Sequence, residues 1–220
     1  MKASKKRVCY FCILLALGAN ACVSVKYVMK STPLAALVNR LPPLEVTMDA
    51  TALTQADGTL AEELIPLFRG EIRQNIAEPT DTATFGYARL LLTHAKVQRT
   101  GRAVQMLQMV TLLIPSVLGV PLETYKTNIT AEVQITDAQG EVLGRYTGQG
   151  QSSVRVAMYY GYSQQMAPRL ANILALREAL AQIRPQIDSA AVRLRPLLLK
   201  AGQVDNPTLP GHEPVVTTDN

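Results

Sequence analysis

The chain has no tryptophan, three phenylalanines, two histidines and three cysteines. Each scarcity removes a class of chemistry. With so few large aromatics, a core has to be assembled from Leu, Ile, Val, Met and Ala. The two histidines stand apart, His94 in an expected strand and His212 in the C-terminal tail, so neither a two-histidine metal site of ordinary spacing nor a general base with identifiable partners is expected. No serine sits in a G-x-S-x-G elbow. Glu62, Glu63, Glu71 and Glu78 have the spacing of a helix's solvent face rather than of a catalytic pair. The expectation is a protein that is not an enzyme, with no metal and no cofactor.

Residues 1–21 contain no Asp or Glu. They begin with a basic cluster (Lys2, Lys5, Lys6, Arg7), continue through an apolar run from Val8 to Leu17, and end Gly18-Ala19-Asn20-Ala21 before Cys22. Positive charge, a short apolar segment and small residues, in that order, make a secretory signal. The run is too short for a spanning helix, which needs roughly 20 mostly apolar residues. Cys9 and Cys12 lie inside the signal, which leaves Cys22 as the one thiol of the exported chain. An unpaired thiol in an oxidising compartment is a hazard that acylation would remove.

The Ala21-Cys22 junction resembles the end of a bacterial lipoprotein signal, with a departure at Ala19, where that family usually has Leu or another branched aliphatic residue. The resemblance covers residues 1–22 only. It implies that Cys22 becomes the lipid-bearing first residue and that more than one acyl chain tethers the protein stably to a membrane. Val23, where an acidic residue would favour retention, points by analogy to the outer membrane rather than the inner. Cleavage also changes the charge: removing four of the 22 Lys and Arg leaves 18 against 17 Asp and Glu. The mature chain is near neutral, and nucleic-acid binding is not expected.

Four segments follow: a signal (1–21), a tether (22–40), one domain (41–202) and a disordered tail (203–220) rich in turn formers. Within the domain, alternation predicts a strand over 43–50, and a T-x-x-E box at Thr59 and Glu62 opens a helix to about 77, with Pro66 kinking it or in its first turn. Further strands are expected over 85–99, 127–137 and 142–156, the last two joined by a turn at Asp137-Ala138-Gln139-Gly140. Ser163 caps a second helix with an apolar stripe of Met166, Leu170, Ile173, Leu174, Leu180, Ile183 and Ile187, kinked near Arg184 by Pro185. The fold class is α+β: a mainly antiparallel sheet of about four strands with two helices on one face.

Several features bear on function. Residues 103–122 carry no charge and follow Lys96, Arg99 and Arg102. Their apolar face either folds under the sheet or touches lipid or a partner through Met106, Met109, Leu112, Leu113, Ile114 and Leu118. Tyr159, Tyr160 and Tyr162 lead into the second helix and either pack against it or form a recognition patch. Gly144, Gly148 and Gly150 read as bends or bulges in a strand rather than a phosphate loop. Arg177 and Arg184 share a helical face, with Arg184 four residues before Asp188. The resulting expectation is a membrane-tethered periplasmic accessory or assembly factor that binds another envelope protein. The alternative is a module that binds lipid or another apolar ligand with its 103–122 insert.

Overall fold

The residues of β3 (Glu123–Thr136) alternate strictly between buried and partly exposed, and this alternation organises the domain. Its odd-numbered side chains, from Tyr125 through Ile129, Ala131, Val133 and Ile135, face a core roofed by helices. Its even-numbered ones face away from that core. The expected strand starts at Thr127; the observed one starts at Glu123 because Glu123 and Tyr125 extend the same alternation.

The computed structural model describes residues 37, 39–49, 61–79, 83–101, 106, 121–156 and 162–204. Around β3 stand β1 (Glu45–Asp49), α1 (Ala61–Glu71) continued by a π-turn (Ile72–Ile76), β2 (Tyr87–Thr100), β4 (Val142–Val156) and α2 (Met166–Ala201). The sheet order is β1-β2-β3-β4. β2, β3 and β4 are antiparallel neighbours, while β1 runs parallel to β2. The parallel pair follows from the strand–helix–strand order, since a crossover has to return the chain to the same end of the sheet. The α+β class with a mostly antiparallel sheet is thus the observed one.

Two details of the hairpin follow from local chemistry. Asp137 Oδ1 accepts the backbone N–H groups of Gln139 (3.0 Å) and Glu141 (2.8 Å), and Gly140, at φ 86°, closes the turn. A bulge at Leu143 shifts the β3–β4 register beside Gly144.

The second helix is one element of 36 residues. Ser163 caps it as expected, its Oγ accepting the N–H of Met166 at 3.3 Å. The helix runs through Pro185 and Pro196 to Ala201, so neither proline ends it. Both prolines are exposed, and so are Ala181 and Val192 four residues before them. The carbonyls that lose an intrahelical partner therefore remain open to water. In α1, Pro66 lies in the interior, neither ending the helix nor sitting in its first turn. The Thr59 cap lies outside the described residues.

Close seating of α2 on β4 depends on small residues from both sides. A Cβ added at Gly150 would overlap the Ala175 carbonyl oxygen and stand 2.8 Å from the Ala179 nitrogen. At Gly148 it would strike the Ala179 carbonyl and lie 3.0 Å from Ile183 Cγ1. Ala167, Ala171, Ala175 and Ala179, four residues apart and fully buried, form the matching ridge. Gly148 and Gly150 are therefore helix seats, a correction to their reading as bends or bulges; only Gly144 lies beside a bulge.

Candidate functional site

The two ends of the sheet hold different parts of the chain. At the first, the chain enters the domain. Leu37, inside the stretch read as tether, is buried, and its N–H donates to the Asn75 carbonyl at 2.9 Å. Leu41 N–H donates to the Ile76 carbonyl at 3.0 Å, and Arg40 Nη2 to the Gln74 carbonyl at 3.0 Å. The π-turn's terminal carbonyls, which have no intrahelical donors, are thus satisfied by the incoming segment. Arg195 of α2 closes the arrangement by donating to the Arg40 carbonyl (2.5 Å) and to Glu78 (2.9 Å). We call this the entry pole.

At the other end, two excursions leave and return: 101–122 between β2 and β3, and 156–162 between β4 and α2. Their stems are adjacent, because Leu122 N–H donates to the Val156 carbonyl at 2.8 Å and Tyr162 N–H to the Arg155 carbonyl at 3.3 Å. Two segments marked independently in the sequence therefore emerge side by side. β2 has 14 residues, so this far pole lies about 45 Å from the entry pole at about 3.3 Å per residue.

A buried carboxylate pins the stems. Glu123, 2% exposed, accepts Arg99 Nε at 2.8 Å on Oε2 and Arg99 Nη2 on Oε1. It also accepts Tyr125 Oη at 3.1 Å and Gln164 Nε2 at 3.0 Å. Arg99 comes from the end of β2, Glu123 and Tyr125 from the start of β3, and Gln164 from the approach to α2. Burial pushes the Glu123 carboxyl upward, but the hydrogen bonds from Arg99, Tyr125 and Gln164 and the Arg99 charge outweigh it, holding the group below its usual 4.5. Below this network Tyr125, Val154, Val156, Ala167, Leu170 and Ala171 form an apolar cluster, onto which Val97, Leu122, Tyr162 and Leu174 pack.

The sequence marked part of this site and missed its centre. Met106 is 72% exposed, so it is not core. Tyr162 is half-buried on the apolar cluster, as the packing reading expects. Cys22, Met109, Leu112, Leu113, Ile114, Leu118, Tyr159 and Tyr160 lie outside the described residues. Glu123 was not singled out. Its available signal was its place in the buried parity of β3, where a carboxylate needs donors.

Two charged features require correction. Glu71 is not on a solvent face: its side chain and that of Arg184 are only 13% and 12% exposed. Arg184 donates to Glu71 Oε1, by Nε at 3.0 Å and also by Nη2, and Asn75 Nδ2 donates to Oε2 at 2.8 Å. Arg184 thus joins α2 to α1 rather than pairing with Asp188. Arg177 lies in the same region; burial lowers its pKa, and the Glu71 charge opposes that. Arg184→Ala is expected to cost about 3 kcal/mol by denaturant unfolding, since it strands a nearly buried carboxylate. A loss below about 0.5 kcal/mol would reduce the pair to an ordinary surface contact.

Among the described residues, no three His, Cys, Asp or Glu side chains are grouped to hold a metal ion, and no helix is long and apolar enough to cross a membrane. No protein-family model matches the chain, and no curated protein matches it.

Proposed function

We propose that this chain is a periplasmic lipoprotein, tethered through lipid on Cys22 to the outer membrane, that acts as a non-enzymatic adaptor for another envelope protein. The observation that carries the reading is the separation of the poles. The segment running from Cys22 is clamped at Leu37–Leu41, whereas the uncharged 103–122 insert and the tyrosine segment leave from the opposite end. Residues 22–36 reach at most roughly 50 Å when extended, enough to let the domain stand off a membrane with its far pole toward a partner. The Glu123 network supports this role by fixing where both excursions start and finish.

Radiolabelled-palmitate incorporation tests the tether. Labelling of the parent chain and its loss in Cys22→Ser is expected; equal labelling of both would sink the lipoprotein assignment. The second reading, a module for lipid or another apolar ligand, is favoured by the exposure of Met106 on the insert. Stoichiometric lipid co-purifying with the unlipidated mature domain would favour it over the adaptor.

A further inference from the structure

β4 is an edge strand among the described strands, and its edge is not bare. The outward backbone groups of Thr147, Gln149 and Gln151 meet helix side chains, and at the end of the strand the Arg155 carbonyl accepts the Tyr162 N–H at 3.3 Å. Gln149 N–H donates to Gln182 Oε1 at 3.1 Å and Gln151 N–H to Glu178 Oε2 at 2.7 Å. Gln186 Nε2 donates to the Thr147 carbonyl at 2.7 Å. Glu178, Gln182 and Gln186 are spaced four apart on α2, so they climb the strand as a ladder of hydrogen-bonding groups, in the places where a neighbouring strand would put its own. Beside the ladder lies an open groove of about 550 Å³, lined by Thr130, Thr147, Gly148, Gln149, Gln151, Glu178 and Gln182.

We propose that this edge accepts a strand, that its occupant is an extended polypeptide segment of a partner protein with carboxylates facing Arg145 and Arg155, and that the ladder, with the Tyr162 N–H on the Arg155 carbonyl, holds the place when the partner is absent. Charge complementarity selects the occupant. The exposed row of β4 reads Arg145, Thr147, Gln149, Gln151, Ser153 and Arg155, with half-buried Gly144 and Ser152 outside it and a cation at each end. Opposite charges directly across a sheet stabilise pairing, and like charges weaken it. A second copy of this chain, paired antiparallel about Gly150, would set Arg145 against Arg155 at both ends. A segment with two acidic residues ten positions apart and polar residues between them meets the row instead, and strand addition to an exposed edge is an established mode of peptide recognition. The inference rests on the adaptor reading only in making the partner a protein.

The test uses the full mature chain and a fluorescent synthetic peptide in which Val and Thr alternate between two glutamates set to face Arg145 and Arg155, followed by anisotropy. A lysine-ended version of the peptide serves as the comparison. The glutamate peptide is expected to bind at least about tenfold more tightly than the lysine peptide. Gln149→Pro, which removes an outward N–H at an edge position where proline is tolerated, is expected to weaken it by about fivefold or more. If Gln149→Pro does not fold, the double variant Arg145→Glu with Arg155→Glu changes only exposed side chains and is expected to reverse the preference between the peptides. Equal binding of the two peptides, binding of neither, or self-association of the chain through β4 would overturn the proposal. Palmitate labelling without peptide binding rejects the edge and leaves the tether; peptide binding without labelling rejects the tether and leaves the edge.

Discussion

Gly150→Val should leave little folded protein. The seat of α2 on β4 has no room for a side chain: even a single Cβ at Gly150 overlaps the Ala175 carbonyl and reaches 2.8 Å from the Ala179 nitrogen. These are backbone atoms of a long helix, so no rotamer change relieves the clash. Either α2 lifts away, exposing the Ala167–Ala179 ridge and its neighbours, or β4 is displaced from β3. Overpacking in a core typically costs about 1–3 kcal/mol, and a clash with backbone belongs at about 3 kcal/mol or above for Gly150→Ala, with more for Val. Against a total stability of about 5–15 kcal/mol this is a large fraction. Gly140→Ala is the control. Gly140 has positive φ but nothing within 4 Å of an added Cβ, so backbone strain alone applies, at about 1 kcal/mol. Thermal or urea unfolding of the two variants side by side separates a steric seat from a turn preference. Similar losses at both positions would show that α2 does not sit as closely as described.

Glu123→Gln should destabilise the domain by about 2–3 kcal/mol at pH 7 and flatten its acid sensitivity. The carboxylate is buried and has four donated hydrogen bonds, two of them from Arg99. Arg99 is 40% exposed and can be rehydrated when its partner loses charge, which brings the cost to or just below the lower limit of the range of about 3–5 kcal/mol for broken buried pairs. The sign of the pH effect follows from the lowered pKa. The folded carboxyl holds its charge more tightly than the unfolded one, so its contribution is complete above about pH 4.5 and is lost as pH falls through the folded value. Unfolding curves of the parent and of the Glu123→Gln variant are therefore expected to differ most near neutral pH and to converge in acid. A constant gap from about pH 7 down to about pH 3 would mean that packing, not ionisation, sets the role of Glu123. Because the same carboxylate pins the stems of both excursions, the adaptor proposal also predicts that the variant weakens capture of a partner protein.

Much of the sheet was legible because its signal is binary. The alternation Ile129, Ala131, Val133, Ile135 states both the element and its buried face, and the Asp137–Gly140 turn fixes the hairpin. The seat of α2 was harder to read. Alanines four apart on a helix and glycines two apart on a strand have meaning only together, once the fold brings Ala175 and Ala179 over Gly148 and Gly150. Pro185 and Pro196 do not end α2 because they fall on its wet side, where a missing hydrogen bond costs least. Charge was misread where pairing is long-range. The local Arg184–Asp188 spacing suggested a surface pair, but Glu71, 113 positions away, supplies the partner. The far pole was half visible, through its uncharged insert and its tyrosines. Neither segment announces that they share a base, since that follows from the contact of Leu122 with Val156.

Site-specific photocrosslinking in intact cells tests the two-pole arrangement most directly, with the reactive side chain placed at exposed Thr100 on the far pole or at exposed Lys200 near the entry pole. A discrete protein adduct from Thr100, and no such adduct from Lys200, is the expected result. Phospholipid adducts from Thr100 without any protein adduct would contradict the adaptor and assign the far pole to lipid instead.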